Sequence, residues 1–303
     1  MTARTAPEIP SAEGRTFVIT GATSGIGRVT ASVLAARGAR VILAVRDEQK
    51  GRAVAAAMGG DTHVRRLDLA DLSSVRSFAE GWGDPIDALI TNAGISIPTL
   101  ERTVDGFEAH IGTNHLGHFA LTNLLLPQVR DRVVTVGSLA HLIGSIDLTD
   151  LHWRTRRYSP SAAYAQSKLA NHLTAHELHR RLSALGSPVR SVVAHPGIAT
   201  TNLVDAGSRR LRHRIERAVL RAIAQSADAG ALPSLTAATA DIPSDSSVGP
   251  SRMLGMRGSP ALAKPAAKAR RVEVARRLWE ESERLTGTAF PRSVDQLGMD
   301  ALR

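Results

Sequence analysis

Apolar residues gather in short runs along the first two thirds of the chain, at 15–20, 40–45, 64–67, 86–91, 132–137 and 189–194. The runs are rich in β-branched residues and of strand length, so each predicts a buried strand. Between them lie longer segments with helical spacing, at 26–37, 47–58, 72–80, 107–129 and 161–185. Gly38, Gly59-Gly60 and Gly186 close three of these, and Pro127 is expected to bend or end a fourth. Strands alternating with helices predict a parallel sheet covered on both faces. The expected fold class is α/β, a doubly wound sheet of about seven strands. The segment 245–268 is rich in Gly, Pro and Ser and reads as loop, and 272–285 reads as a final helix.

Between the last strand and that helix the pattern changes. Residues 209–223 are strongly basic, with Leu211, Ile215, Val219 and Ile223 spaced by four, an amphipathic helix. A lid over a substrate with a solvated basic face is expected of it; a helix simply laid on the core, or a surface for an acidic partner, are the alternatives. Residues 202–262 are therefore expected to form a small helical substrate cap within a single domain spanning 15–303. Residues 1–14 hold two prolines, two glutamates and no apolar run, which predicts a flexible N-terminus without a signal peptide.

The composition narrows the function. Of 303 residues, 43% are hydrophobic and none is cysteine, so a sizeable core is available while disulfides, thiolate metal sites and a cysteine nucleophile are excluded. No apolar stretch reaches the roughly 18 residues of a membrane span, and a cytoplasmic protein is expected. The net charge of +10 comes mostly from arginine. With only five Phe, three Trp and two Tyr, a stacking platform for nucleic acid is not expected.

The first strand runs into Thr20-Gly21-Ala22-Thr23-Ser24-Gly25-Ile26-Gly27 and then a helix. A glycine-rich strand-to-helix turn lets backbone approach a pyrophosphate, and the helix N-terminus offers N–H groups and a positive dipole end. The spacing is G-x-x-x-G-x-G rather than G-x-G-x-x-G. After the second strand comes Arg46, where a basic residue would accept the 2′-phosphate of NADP(H) and an acid would hold the ribose of NAD(H); a solvated loop arginine is the alternative. Asp68-Leu69 after the third strand could hold the adenine. Asn92-Ala93-Gly94 after the fourth permits close approach to the nicotinamide side.

Tyr164 and Lys168 are four apart on one helical face. An ammonium beside a phenol lowers its pKa, so Tyr164 could exchange a proton with a carbonyl or alcohol oxygen near neutral pH. Ser138 closes the fifth strand and could hydrogen-bond the same oxygen, and Asn114 could hold a water behind Lys168. His172 and His176 have metal-ligand spacing without accompanying carboxylates, so a surface or oligomer-interface role is expected for them.

Together these residues resemble the single-domain short-chain dehydrogenase/reductase family, over about residues 15–201. The resemblance implies a Rossmann fold, a tetrad of Asn114, Ser138, Tyr164 and Lys168, and a nicotinamide contact from Pro196-Gly197 and Thr201. It also implies dimers or tetramers built through the two long helices. A narrower resemblance, carried by Arg46-Asp47, the segment from Asn114 to Phe119, the segment from Tyr164 to Asn171 and His195-Pro196-Gly197, is to the retinol dehydrogenase, WW-domain oxidoreductase and protochlorophyllide reductase branch. It implies NADP(H) and a bulky apolar carbonyl or alcohol. Two departures stand out: Thr91 begins the fourth-strand motif where the family has Asn, and a basic insertion with Trp153, Arg154, Arg156 and Arg157 separates Ser138 from Tyr164. Two other readings of the chain are an NADP-binding regulator without turnover and a basic binding module, whose binding would collapse in modest salt.

Overall fold

The computed structural model describes residues 9–197 and 225–291. Its order is β1 (Thr16–Thr20), α1 (Gly25–Ala36), β2 (Arg40–Val45), α2 (Glu48–Met58), β3 (Thr62–Arg66), α3 (Leu72–Ala79) and β4 (Ile86–Thr91). There follow α4 (Gly117–Leu125), β5 (Val129–Val136), α5 (Pro160–Ala184), β6 (Arg190–Ala194), α6 (Ala227–Thr239), β7 (Ser247–Arg252), β8 (Arg257–Ala263) and α7 (Val272–Thr286).

The strands form one sheet in the order β3-β2-β1-β4-β5-β6-β7-β8. All neighbours pair parallel except β7 with β8. The order in which successive strands are added reverses between β1 and β4, the switch point beside which such sheets bind ligands. Each central strand is apolar on both faces because helices cover both. Phe17 and Ile19 of β1 pack with α1 and α6, whereas Val18 faces the layer of α3, α4 and Trp279 of α7. Trp279 is fully buried, edge-on to Phe119 with ring centroids 4.8 Å apart.

The structure revises several expectations. The 245–268 segment is not loop: it supplies β7 and β8, so the sheet has eight strands rather than about seven. Pro250 and Pro260 oppose one another in the hairpin. Proline is tolerated there because β7 meets β6 only at Ser247 and Val248, leaving Pro250 with no ladder on that side. The described part of the expected cap, 225–262, is α6 and this hairpin. α6 buries Ala231, Leu235, Ala237 and Ala238 in the sheet's own core. The basic helix at 209–223 and Thr201 lie outside the described residues. The expected helix 107–129 is broken: Ile111–Leu116 is a π-helical turn, α4 follows, and Leu126–Gln128 tightens to a 3₁₀ turn at Pro127 before β5 begins at Val129. Residues 9–14 are not a free arm. Ile9 and Ala12 are buried, and the Ala12 N–H donates to Arg37 O at 2.9 Å. Among the described residues no helix is long and apolar enough to cross a membrane.

Candidate active site

The C-terminal ends of the parallel strands bring the expected residues to one edge of the sheet. At β1, Gly21 takes φ +68° and Gly25 φ +54°, conformations that disfavour side chains. A Cβ on Gly21 would sit 2.9 Å from Ala93, and one on Gly27 would sit 2.6 Å from Gly21 O. The turn is thus closed against the Asn92-Ala93-Gly94 motif. Ser24 is the N-cap of α1 but makes no side-chain capping hydrogen bond, so the first N–H groups of α1, among them those of Ile26 and Gly27, lack that usual partner. Thr23 borders the same turn. A glycine cradle with an uncapped helix start suits the pyrophosphate of a dinucleotide.

Arg46 is exposed directly beyond β2. Asp47 is engaged in capping α2, its carboxylate accepting from the Lys50 N–H at 2.9 Å. Asp68 accepts from the Ala70 N–H at 3.0 Å, which shapes the turn after β3, and Leu69 is buried. Pro196 O accepts from Gln225 Nε2 at 2.7 Å, and Gly197 turns at φ +67° against Met256.

The tetrad residues converge. Lys168 is buried and donates to Val136 O at 3.2 Å, two residues before Ser138. Tyr164, one helical turn earlier in α5, lies near Ser138, whose side chain acts to lower the phenol pKa. A Cβ on Gly94 would lie 3.3 Å from Asn114 Oδ1 and 3.5 Å from Lys168 Nζ, so both heads flank Gly94. Asn114 sits in the π-turn. Its Oδ1 accepts from the Ile95 N–H at 2.7 Å, and its Nδ2 donates to Ile95 O and Ser167 Oγ, both at 3.0 Å. Its described work is to lock the loop after Gly94 onto α5; a water behind Lys168 would share Oδ1 with the Ile95 amide.

The electrostatics differ from the sequence expectation. Burial pushes the Tyr164 hydroxyl above its ordinary value, and the Ser138 side chain only partly opposes this. The Lys168 ammonium lies 6.0 Å from the Tyr164 ring centroid and is itself lowered to about 8 by burial. The phenol is therefore held protonated here rather than ionised by the lysine.

Sequence reasoning missed the hydrogen-bond chain that joins the two ends of the site. The Asn92 and Ala93 N–H groups both donate to Thr20 Oγ1 at 2.9 Å. Thr20 Oγ1 in turn lies 2.8 Å from His118 Nε2, and His118 Nδ1 lies 3.0 Å from Asn114 O. A carbonyl can only accept, so Nδ1 carries the imidazole proton and Nε2 accepts from the Thr20 hydroxyl. One neutral histidine so connects the glycine turn, the fourth-strand motif and the π-turn of Asn114. Burial holds His118 at about 4, with the Lys168 charge adding to the depression. The only available signal was the four-residue spacing of Asn114 and His118.

A second missed group is Glu108, His110 and Tyr158. His110 Nδ1 lies 2.7 Å from Glu108 Oε1, the Ile97 N–H donates to His110 Nε2 at 3.1 Å, and the Tyr158 hydroxyl donates to Glu108 at 3.1 Å. Burial pushes Glu108 up, but hydrogen bonds from the His110 side chain and from the Ile111 and His110 amides outweigh it and hold the carboxyl below its usual range. This group fastens the insertion to the loop after Gly94, with the His110 ring 6.1 Å from that of Tyr164. In the insertion, Asp150 accepts the Arg154, Thr155 and Arg156 N–H groups, and the Arg156 guanidinium covers the Trp153 ring at 3.7 Å.

The histidines on α5 are placed differently from expectation. His172 is buried and stacks on His141 at 3.9 Å, and His141 Nδ1 donates to Ser138 O at 2.6 Å. His176 and His179 pair with Asp245 at 3.0 Å and Ser244 at 2.8 Å, fastening α5 to the segment before β7.

Comparison with known proteins finds relatives over most of the chain. A family model described as short chain dehydrogenase matches residues 15–211. Mouse (Mus musculus) polyprenol dehydrogenase is 45% identical over 297 residues, covering 93% of this chain and 86% of that protein. Human (Homo sapiens) retinol dehydrogenase 13 is 40% identical over 305 residues, covering 96% of this chain and 90% of that protein. The solved structure of an uncharacterized protein from Mycobacterium Paratuberculosis shares 53% identity, with a TM-score of 0.84, covering 96% of this chain and 100% of that one.

Proposed function

The chain belongs to the short chain dehydrogenase family, and from that premise we propose that it is an NADP(H)-dependent oxidoreductase interconverting a carbonyl and an alcohol, with Tyr164 as acid/base. The observation that carries this reading is the gathering of Ser138, Tyr164 and Lys168 at one site, with Ser138 near enough to act on the Tyr164 phenol, Lys168 one turn along the same helix and the glycine cradle alongside.

The cofactor supplies or accepts the hydride when bound. Gly21, Thr23, Ser24, Gly25, Ile26 and Gly27 would hold its phosphates, Arg46 its 2′-phosphate, and Asp68 with Leu69 its adenine. Asn92, Ala93, Gly94, Tyr164, Lys168, Pro196 and Gly197 would line its nicotinamide half, with Thr201 completing that set. The NADP(H) preference is supported by Arg46 standing exposed while Asp47, the acid that could hold a ribose, is committed to capping α2.

In the reductive direction the neutral Tyr164 phenol donates its proton to the substrate oxygen. Ser138 hydrogen-bonds that oxygen and orients it. Lys168, lowered to about 8 by burial, stabilises the phenolate left behind and returns a proton to it. Asn114 and His118 act through these groups by fixing the loop and turn around them. The relatives named polyprenol and retinol dehydrogenase support a bulky apolar alcohol or aldehyde as substrate. We place the activity in the cytoplasm, in a homodimer or homotetramer, without a nucleic-acid partner.

The test is a titration of purified protein with NADPH and NADH by nicotinamide fluorescence, with Arg46→Asp beside wild type. Tight NADPH binding that weakens in the variant, with NADH binding retained, is the expected outcome. Binding of neither nucleotide would overturn the proposal.

A further inference from the structure

The C-terminal ends of β2 and β3 meet at a corner of the sheet. The Gly21 N–H donates to Ala44 O at 3.0 Å, so the glycine turn lies next to this corner. Val45 and Arg66 are the last paired residues of the two strands, and the Leu67 N–H donates to Val45 O at 2.9 Å just beyond them. Arg46 follows Val45 directly, so the backbones of Arg46 and Arg66 adjoin. Successive side chains of a strand point to opposite faces. A Cβ on Gly51 of α2 would meet Val45 at 2.7 Å and Val64 at 2.8 Å, which places both valines on the α2 face. Arg66, two residues after Val64, shares that face. Arg65 goes to the other, where its guanidinium covers the Phe78 and Trp82 rings and donates to Phe78 O. Arg66 therefore emerges beside Arg46 at the corner from which α2 departs. Both guanidiniums are exposed, and among the described residues neither has a hydrogen bond or an ion pair. The acids nearby are committed to the backbone: Asp47 caps α2, Asp68 shapes the turn after β3, and Asp71 caps α3. The Ser73 hydroxyl, 2.6 Å away, is the main cause holding the Asp71 carboxyl below its ordinary value, and the Arg66 charge is the smallest.

We propose that Arg66 joins Arg46 in a two-arginine clamp on the 2′-phosphate of NADP(H), which makes Arg66 a specificity-determining residue. The inference rests on the NADP(H) reading above and adds to it a second cation, from a different strand. A phosphate monoester carries close to two negative charges at pH 7 and presents three acceptor oxygens. One planar guanidinium engages two of these oxygens, which leaves one oxygen and about one charge for a second cation. Two adjoining guanidiniums repel one another and attract a dianion placed between them. The uncharged 2′-hydroxyl of NAD(H) gains from neither. β3 is the edge strand of the sheet, so Arg66 reaches the corner from outside the core, and replacing it leaves the packing of β2 and α2 intact.

The experiment is titration of the full chain with NADPH and NADH by nicotinamide fluorescence. Adenosine 2′,5′-bisphosphate, which carries the 2′-phosphate and lacks the nicotinamide, serves as competitor. Arg66→Gln is expected to weaken NADPH and the bisphosphate about 10- to 100-fold, the loss of a charge-assisted hydrogen bond, and to leave NADH within about 2-fold. Arg46→Gln alone should keep part of the preference for NADPH, and Arg46→Gln/Arg66→Gln should abolish it. Arg66→Lys should fall between wild type and Arg66→Gln, since it keeps the charge and loses the fork. Arg130→Gln removes an equal, exposed charge at the start of β5, the opposite end of the sheet, and should bind both nucleotides as wild type does. Retained NADH binding in each variant reports an intact fold. Wild type that prefers NADPH, beside an Arg66→Gln variant that binds it equally well, would overturn the clamp and leave the NADP(H) reading standing. Equal weakening toward NADPH and NADH in Arg66→Gln would also overturn the clamp, because Arg66 would then act on the adenine. Wild type that binds neither nucleotide, or binds both alike, would overturn the clamp and the NADP(H) reading together.

Discussion

Acidification from pH 7 to pH 5 should cost this protein most of its stability, because the fold holds several imidazoles neutral. His115, His118 and His195 are buried, and burial lowers each from 6.5 to about 4, with the His141 charge adding to His195. Between those values the unfolded chain binds more protons than the folded one, so stability is full above about pH 6.5 and is lost as the pH falls toward 4. For one group with these two pKa values, moving from pH 7 to pH 5 removes about 2 kcal/mol, or about 6 kcal/mol for three. That is comparable with the whole stability of an ordinary domain, about 5–15 kcal/mol. His172, also depressed well below its ordinary value by burial, acts in the same direction. The assay is urea unfolding followed by tryptophan fluorescence at pH 7 and pH 5. In His118→Gln the loss between the two pH values should shrink by about one third, because one of the three protons is no longer taken up. A wild-type stability that changes by less than about 1 kcal/mol over this range would refute the reasoning.

Three further outcomes are expected. Tyr164→Phe should lower kcat by about 10²- to 10⁴-fold while leaving NADPH binding by fluorescence titration near wild type, since only the transferable proton is removed. Gly27→Ala would set a methyl 2.6 Å from Gly21 O and against the Asn92 amide, so NADPH binding should weaken by about 10-fold or more; Gly83→Ala, where nothing lies within 4 Å, is the matched control and should bind as wild type. Trp279→Ala empties a fully buried position between Phe119, Phe290 and the Arg181 guanidinium, and should cost about 3–5 kcal/mol in urea unfolding at pH 7.

The parallel sheet was legible because its central strands are apolar on both faces and are punctuated by glycine, a local signal. The hairpin at its edge was not. Pro250 and Pro260 mark a loop by every local rule, and only the short pairing of β7 with β6 makes them tolerable there. Ile9 and Ala12 were hidden for a related reason: two isolated apolar residues gain significance only when Arg37 O is there to receive the Ala12 amide. The tetrad residues were legible as types at spacings, and they do converge, but the charge state of Tyr164 was not. An i,i+4 spacing places Lys168 on the same helical face without saying where its ammonium goes. Here it turns to Val136 O, and burial then dominates the phenol.

What binds the two halves of the site into one unit is carried by contacts far apart in sequence. Thr20 and His118 are 98 positions apart, and neither alone announces a role. Thr20 ends a strand, as many threonines do, and His118 sits on a helix that is buried all round. The pairing follows from the switch point. Because β4 lies directly beside β1, the amides of Asn92 and Ala93 reach Thr20 Oγ1 and occupy both its lone pairs, which obliges the hydroxyl proton to leave toward the remaining acceptor. That acceptor must be a neutral imidazole, and the π-turn supplies it by presenting Asn114 O to the opposite ring nitrogen. A protonated His118 would face Thr20 with two hydrogens and no acceptor between them. The acid sensitivity argued above and the geometry of the candidate cofactor cradle therefore share one origin: His118 stabilises the turn at Gly21 only while it is neutral.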